Sequence, residues 1–176
     1  MERFLWVLGM AVLAGLVFFA MWRGWRNRAR RQAALLPDFP AVPDDAGEAL
    51  LPAATGMYVG TTTAGDWQDR IAVGDIGHRA GGTVRLHRSG LLVERDGASP
   101  LWIPAESFVD ARADHKLANK VVPGAGLLVI TWRLGQQRLD TGFRCDDKEV
   151  HNDWVEAVRA LATRDETAGT RREEQR

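Results

Sequence analysis

The hydrophobic pattern changes period along the chain. From Phe4 to Trp22 the run FLWVLGMAVLAGLVFFAMW carries no charge, Pro, Asn or Gln. As a helix it is about 28 Å long, the thickness of a bilayer hydrocarbon core. Trp6 near one end and Trp22 and Trp25 near the other stand where indole rings favour the headgroup boundary. From Met57 onward the period is two. Leu128, Ile130 and Trp132 alternate with Val129, Thr131 and Arg133 over Leu127–Arg133, Gly135-Gln136 turns the chain, and Arg138–Cys145 sets Leu139, Thr141, Phe143 and Cys145 inward against Arg138, Asp140 and Arg144. Thr83–Arg88 and Leu91–Glu94 read as a second hairpin around Ser89-Gly90, and Met57–Thr63, Arg70–Val73 and Leu101–Ala111 supply three further strands. Past Cys145 the pattern is helical. Asp146 and Glu149 have capping-box spacing, and Val150, Trp154, Val158 and Leu161 form one apolar stripe, predicting a helix over 147–162 with His151, Asn152, Asp153, Glu156 and Arg159 on its wet side.

These elements predict a mainly β (α+β) domain over 57–163, with about six or seven antiparallel strands in a barrel or sandwich closed by the C-terminal helix. A basic segment, 23–31, follows the apolar helix of 4–22. Residues 32–56, with Pro37, Pro40, Pro43 and Pro52 and the acids Asp38, Asp44, Asp45 and Glu48, read as an extended spacer whose charge holds the domain off an anionic surface. The tail, 164–176, balances Arg against Asp and Glu with no apolar residue beyond Ala, and is predicted to be disordered.

Over 176 residues the formal net charge is +0, which conceals an asymmetry. Arg23, Arg26, Arg28, Arg30 and Arg31 follow the apolar run, whereas only Arg3, offset by Glu2, precedes it. A secretory signal has the opposite order and needs small residues where Phe18, Phe19 and Trp22 stand. The run therefore reads as a retained single-pass anchor in the plasma membrane, with residues 1–3 outside and the domain in the cytoplasm. The five arginines serve as the topology signal, and weak contact with anionic lipid is the further role open to them.

The chain offers little that points to catalysis. Its single cysteine, Cys145, excludes an intrachain disulfide and a Cys-only zinc site, and its inward position marks a core residue. His78, His87, His115 and His151 lack the i, i+4 pairing of a helical zinc site. Gly77–Gly82 and Gly124–Gly126 lack phosphate-loop spacing and read as turns, and there is no G-x-S-x-G elbow. No catalytic residue, cofactor or metal ligand is assigned. Residues 57–163 hold 13 basic against 14 acidic side chains, which argues against nucleic-acid binding. Two basic sets, Arg79, Arg85 and Arg88, and Arg112, His115, Lys116 and Lys120, read as scattered surface charge before they read as anion sites. Trp102 and Trp132 read as core. The most distinctive peptide is Gly65-Asp66-Trp67-Gln68-Asp69-Arg70. Asp66, Trp67, Asp69 and Arg70 form a candidate epitope for a protein partner. The alternative is a capped turn in which Asp66 accepts backbone N–H bonds, Trp67 packs under the barrel mouth and Asp69 pairs with Arg70.

This order of strands and closing helix resembles pleckstrin-homology-like domains. With the apolar helix, YVGTTTAGDWQDRI at 58–71, GLLVERDG at 90–97 and WVEAVRAL at 154–161 resemble small actinobacterial membrane proteins that carry such a domain, some of them described as export or transporter proteins. The resemblance spans about Phe4 to Leu161. Phosphoinositide-binding members of that fold gather several Lys and Arg around the first hairpin, whereas Tyr58–Asp75 here holds Arg70 alone beside Asp66, Asp69 and Asp75, so that site is not implied. The expected function is a membrane-anchored, cytosol-facing interaction or scaffolding module without catalytic activity. The alternative is an accessory subunit of a multi-component transporter or exporter, its helix packed on a polytopic partner through Gly9, Ala11, Ala14 and Gly15.

Overall fold

The structure, a computed structural model, describes residues 2–118, 120–121, 126–147 and 149–173. Helix α1 spans Glu2–Leu35, 34 residues. It continues past Trp22 through the basic segment, because Arg, Asn, Gln and Ala there are compatible with helix, and stops before Leu36-Pro37, where the proline disfavours helical backbone in the residue before it. Trp6, Val7, Met10, Val12, Leu13, Leu16, Val17, Phe18, Phe19, Met21 and Trp22 are all exposed. Arg26 lies over the Trp22 ring, 4.7 Å from its centroid. The side chains of Arg28, Arg30 and Arg31 lie outside the described residues, as do those of Phe4, Leu5 and Leu8. Among the described residues no helix is long and apolar enough to cross a membrane. Within α1 the described side chains run without a gap only from Gly9 to Gly24, short of the 4–22 span expected from sequence.

Seven strands form one antiparallel sheet: β1 (Ala54–Thr63), β2 (Ala80–His87), β3 (Gly90–Arg95), β4 (Leu101–Pro104), β5 (Phe108–Asp114), β8 (Leu127–Leu134) and β9 (Gln137–Cys145). A two-stranded hairpin, β6 (Lys116–Leu117) and β7 (Lys120–Val121), lies between β5 and β8 in the chain. The sheet order is β4-β3-β2-β1-β9-β8-β5, with the first strand in the middle. The sheet is not closed: β4 and β5 are its two edges, and a 3₁₀ turn at Ala105–Ser107 carries the chain from one to the other. Register shifts at Tyr58/Gly60 and Phe108/Asp110 mark the irregularities that let such a sheet bend.

Two predicted strands are corrected. Leu101–Ala111 is split at Pro104, and Arg70–Val73 is not a strand; it makes one bridge, Thr62 to Arg70, before Gly74 turns the chain. The β6–β7 hairpin was not predicted, being too short to show a period.

Helix α2 runs His151–Glu173. The expected capping box is replaced by an Asx turn in which Asp147 Oδ1 accepts the Glu149 N–H at 2.9 Å, while Asp146 N–H is bound by Thr55 O at 2.9 Å. Trp154, Val158, Leu161 and Ala162 are buried, and the helix packs on β5, the 3₁₀ turn and β8. His151, expected in solvent, is 4% exposed, because it precedes Trp154 by three residues and Val158 by seven and so shares their stripe. The helix continues beyond 162 through a segment expected to be disordered; Arg, Glu and Ala are good helix formers and no proline follows.

The spacer reading of 32–56 is also corrected. Residues 32–35 belong to α1, and the remainder lies on the domain as a strap. Leu36, Phe39 and Leu51 pack against the main core, and Phe39 meets the Trp132 ring at 6.2 Å between centroids. Leu50 N–H binds Leu86 O at 2.7 Å, Gly47 O lies 2.8 Å from His87 Nδ1, and Ser89 Oγ donates to Ala46 O at 2.8 Å. Prolines and acids gave the spacer signal, but the apolar residues between them decide the placement.

Candidate functional site

The candidate epitope forms around one corner of the sheet. Thr63, the last residue of β1, pairs with Leu139 of β9, and the following Ala64 N–H binds Arg138 O at 2.9 Å. The chain then turns through Gly65, whose φ of 82° is left-handed, and Asp66 Oδ1 accepts the N–H groups of Gln68 at 3.0 Å and Asp69 at 3.2 Å. This is the Asp66 cap considered from sequence. Trp67 is half-buried and not part of the core, so it retains an accessible face. Asp69 Oδ2 accepts the Thr63 hydroxyl at 2.6 Å, a bond the sequence did not suggest. Arg70 folds beneath the turn, where Nη2 donates to Val59 O and the guanidinium occupies the space a side chain on Gly60 would fill. Burial lowers its pKa, because the charged form loses water.

Behind the turn lies a fully buried polar chain. Tyr58 Oη donates to Ile76 O at 2.9 Å. The Tyr58 and Thr61 hydroxyls are 2.9 Å apart, as are those of Thr61 and Thr141, and Trp132 Nε1 donates to Thr141 Oγ1 at 2.9 Å. Each hydroxyl has one proton, so the direction is fixed: Trp132 to Thr141 to Thr61 to Tyr58 to Ile76. Burial pushes the Tyr58 pKa up to about 12, against the lowering effect of Thr61 and Arg95. Arg95 lies over the Tyr58 ring at 5.0 Å and binds Asp75 through Nη2 at 2.6 Å and through Nη1 to the backbone O at 2.9 Å. Desolvation works against the Asp75 charge, but the Ser99 N–H and Arg95 outweigh it and hold the carboxyl below its ordinary range.

On the outer face Asp140, 2% exposed, accepts Arg112 Nη2 at 2.7 Å and the Thr131 hydroxyl at 2.5 Å. Arg112 Nε also meets Asp114 at 3.1 Å. The Asp140 hydrogen bond is the main cause that keeps Arg112 charged, so this arginine is neutralised internally and does not offer a free anion site. Arg85 is likewise paired, with Glu94 at 3.0 Å. Lys120 belongs to β7, but its side chain lies outside the described residues.

Next to this network, Val59, Leu117, Ala118, Leu127 and Val129 form a second apolar cluster. The β6–β7 hairpin supplies Leu117, which stands where a side chain on Gly142 would be. Among the described residues no group of three His, Cys, Asp or Glu could hold a metal ion.

The strand order, the central first strand and the helix on the β5 edge can now be set beside known families. Residues 36–159 match the family model described as Bacterial PH domain-like. The chain belongs to this family. The PH-like match begins one residue after α1 ends, so the strap is part of the domain and the 57 boundary drawn from sequence is too late. Among curated proteins none matches the chain.

Of the residues singled out from sequence, the PH-like fold brings Asp66, Trp67, Asp69 and Arg70 together. Arg23, Arg26, Arg28, Arg30 and Arg31 stay together on α1. Sequence reasoning missed the Arg95–Asp75 clasp and the Asp140 network. Their signal was an inward Arg at the end of a strand and alternating Thr, Asp and Arg on one outer face, which solvent-facing strands also show.

Proposed function

We propose that the protein is a single-pass membrane-anchored interaction module, its PH-like domain held at the cytoplasmic face to engage a protein partner and without catalytic activity. The observation that carries this reading is α1: its described apolar residues are exposed on every side, and it leads directly into the domain. An apolar helix uncovered all round favours lipid as its surroundings. The uncharged run from Phe4 to Trp22 and the arginines after it support the orientation with the domain inside. Within the domain the accessible Trp67, framed by Asp66 and Asp69, is the recognition feature, since a partly exposed tryptophan carries large contact area at low entropic cost.

Two measurements test this. A C-terminal tag should resist protease in intact spheroplasts and be cleaved after permeabilisation; cleavage before permeabilisation would remove the cytosolic reading. A photo-crosslinker at position 67 should yield a discrete adduct in cells that one at the exposed Asn152 does not. Equal labelling from both positions would sink the Trp67 surface as the recognition site.

A further inference from the structure

Arg133 and Arg138 are direct cross-strand partners beside the β8–β9 turn, and both are exposed. Opposed positions of an antiparallel pair hold their Cβ atoms about 5 Å apart, where like charges repel. Among the described residues no carboxylate pairs with either. Asp140, two positions along the same face, is already committed to Arg112 and Thr131. The hairpin end is also braced from behind. Gly135, in the turn itself, has a left-handed φ of 59°, and a Cβ placed on it would stand 3.1 Å from Pro37 Cγ. The Phe39–Trp132 contact fixes the same strap segment to β8, so little backbone freedom is left to lose when a ligand binds.

The Ala64–Arg138 hydrogen bond sets the Trp67 turn next to the pair. Trp67 keeps an accessible face, so neighbouring parts of one surface offer an aromatic ring and two cations without a counter-charge. In the turn, Asp66 and Asp69 accept backbone N–H groups and the Thr63 hydroxyl. Like charge makes the Trp67 end unfavourable for an incoming carboxylate and leaves the arginine end as its place. Helix α1 continues from Arg23 to Leu35, about 20 Å beyond the apolar run, which holds this surface clear of a headgroup layer and facing solution.

We infer, resting on the reading of Trp67 as the recognition feature, that the protein partner presents an acidic segment. Two neighbouring carboxylates meet Arg133 and Arg138, and an adjoining apolar side chain covers Trp67. The arginine pair selects the charge of the segment, and the aspartates of the turn set its direction.

The test uses the full chain in a non-ionic detergent, with a fluorophore on Gln136→Cys and the buried Cys145 unlabelled. It is titrated with three end-capped peptides, Glu-Glu-Gly-Leu-Phe and its Gln-Gln and Lys-Lys counterparts. Only the Glu peptide should bind saturably. Its dissociation constant should rise about two- to five-fold for each of Arg133→Gln and Arg138→Gln. Trp67→Ala should weaken the same peptide. Arg138→Glu, which turns the repulsive pair into an attractive one, should keep the fold and lose the Glu peptide. Equal binding of the Glu and Gln peptides, or Glu-peptide binding indifferent to the arginines, overturns the inference. So does displacement by inorganic phosphate beyond that by chloride at equal ionic strength, which would mark a general anion site. The photo-crosslinker at position 67 reports separately on the underlying reading. A discrete adduct in cells with no Glu-peptide binding leaves Trp67 recognition standing and removes the acidic segment. Arginine-dependent binding that ignores Trp67→Ala, with no adduct, removes the Trp67 reading and supports the charge selection alone.

Discussion

Arg95 Nη2 lies 2.6 Å from Asp75 Oδ1, and the arginine side chain is fully buried while the aspartate keeps a third of its surface in water. The pair ties the end of β3 to the loop that returns from the Trp67 turn. Removing the acid leaves a buried cation without its counter-charge, so Asp75→Ala should lower unfolding stability by about 2–3 kcal/mol, below the full cost of a completely buried pair. Denaturant unfolding of the detergent-solubilised chain measures it. The folded Asp75 pKa is depressed from 3.8, so its contribution is complete above that value and lost as pH falls toward the lower folded value. Asp75→Asn should flatten the acid limb of stability against pH; an unchanged limb would show that other carboxylates govern it.

The buried hydroxyl chain predicts a response at the opposite end of the pH scale. Tyr58 is raised from 10.0 to about 12, so the neutral phenol is favoured in the fold; its contribution is complete below 10.0 and declines as pH rises toward 12. Tyr58→Phe should abolish that alkaline decline. Thr141→Val, which strands the Trp132 N–H and takes away the donor to the Thr61 hydroxyl oxygen, should cost about 1–3 kcal/mol. Loss of the alkaline transition in Thr141→Val alone would contradict the assigned direction of the chain.

Gly142 carries the β6–β7 hairpin on its bare face. Gly142→Ala should displace Leu117 and cost about 1–3 kcal/mol through overpacking. Limited trypsinolysis should then cut at Lys116 or Lys120 while β8 and β9 stay protected. Cleavage rates equal to those of the parent would mean that Leu117 is not held there.

Cys145 is buried, and burial together with Asp146 and Asp147 pushes its thiol up to about 11. At neutral pH it should resist maleimide or disulfide reagents until the strand opens. Labelling should therefore follow the opening equilibrium and accelerate with denaturant. Immediate labelling in the native protein would rule out the inward placement of β9.

The sequence pattern was most legible where one face is buried. Strands β8 and β9 and the Trp154–Val158–Leu161 stripe follow directly from their periods. The Leu101–Ala111 run was misread because Pro104 breaks a strand without breaking the apolar pattern around it. The strap was misread because prolines and acids exclude helix but do not exclude docking, and Leu36, Phe39 and Leu51 are too widely spaced to show a period. His151 was misplaced by assigning it from polarity, although its helical phase puts it with Trp154. At the epitope, Asp66 as a cap was readable from local chemistry. The Thr63–Asp69 bond and the Arg70–Val59 bond required knowing that β1 and the turn lie side by side.

The strap also sets the leash. A free chain as long as the predicted spacer would let the domain wander over roughly 25–30 Å from the end of its helix, diluting it through that volume. With Pro37 against the Gly135 turn and Leu50 on β2, that slack is taken up within the domain. What remains is an emplacement with almost no search radius. In the proposed role a partner comes to it, and the effective concentration it offers depends on how densely copies of the chain are arrayed, not on how far each one reaches.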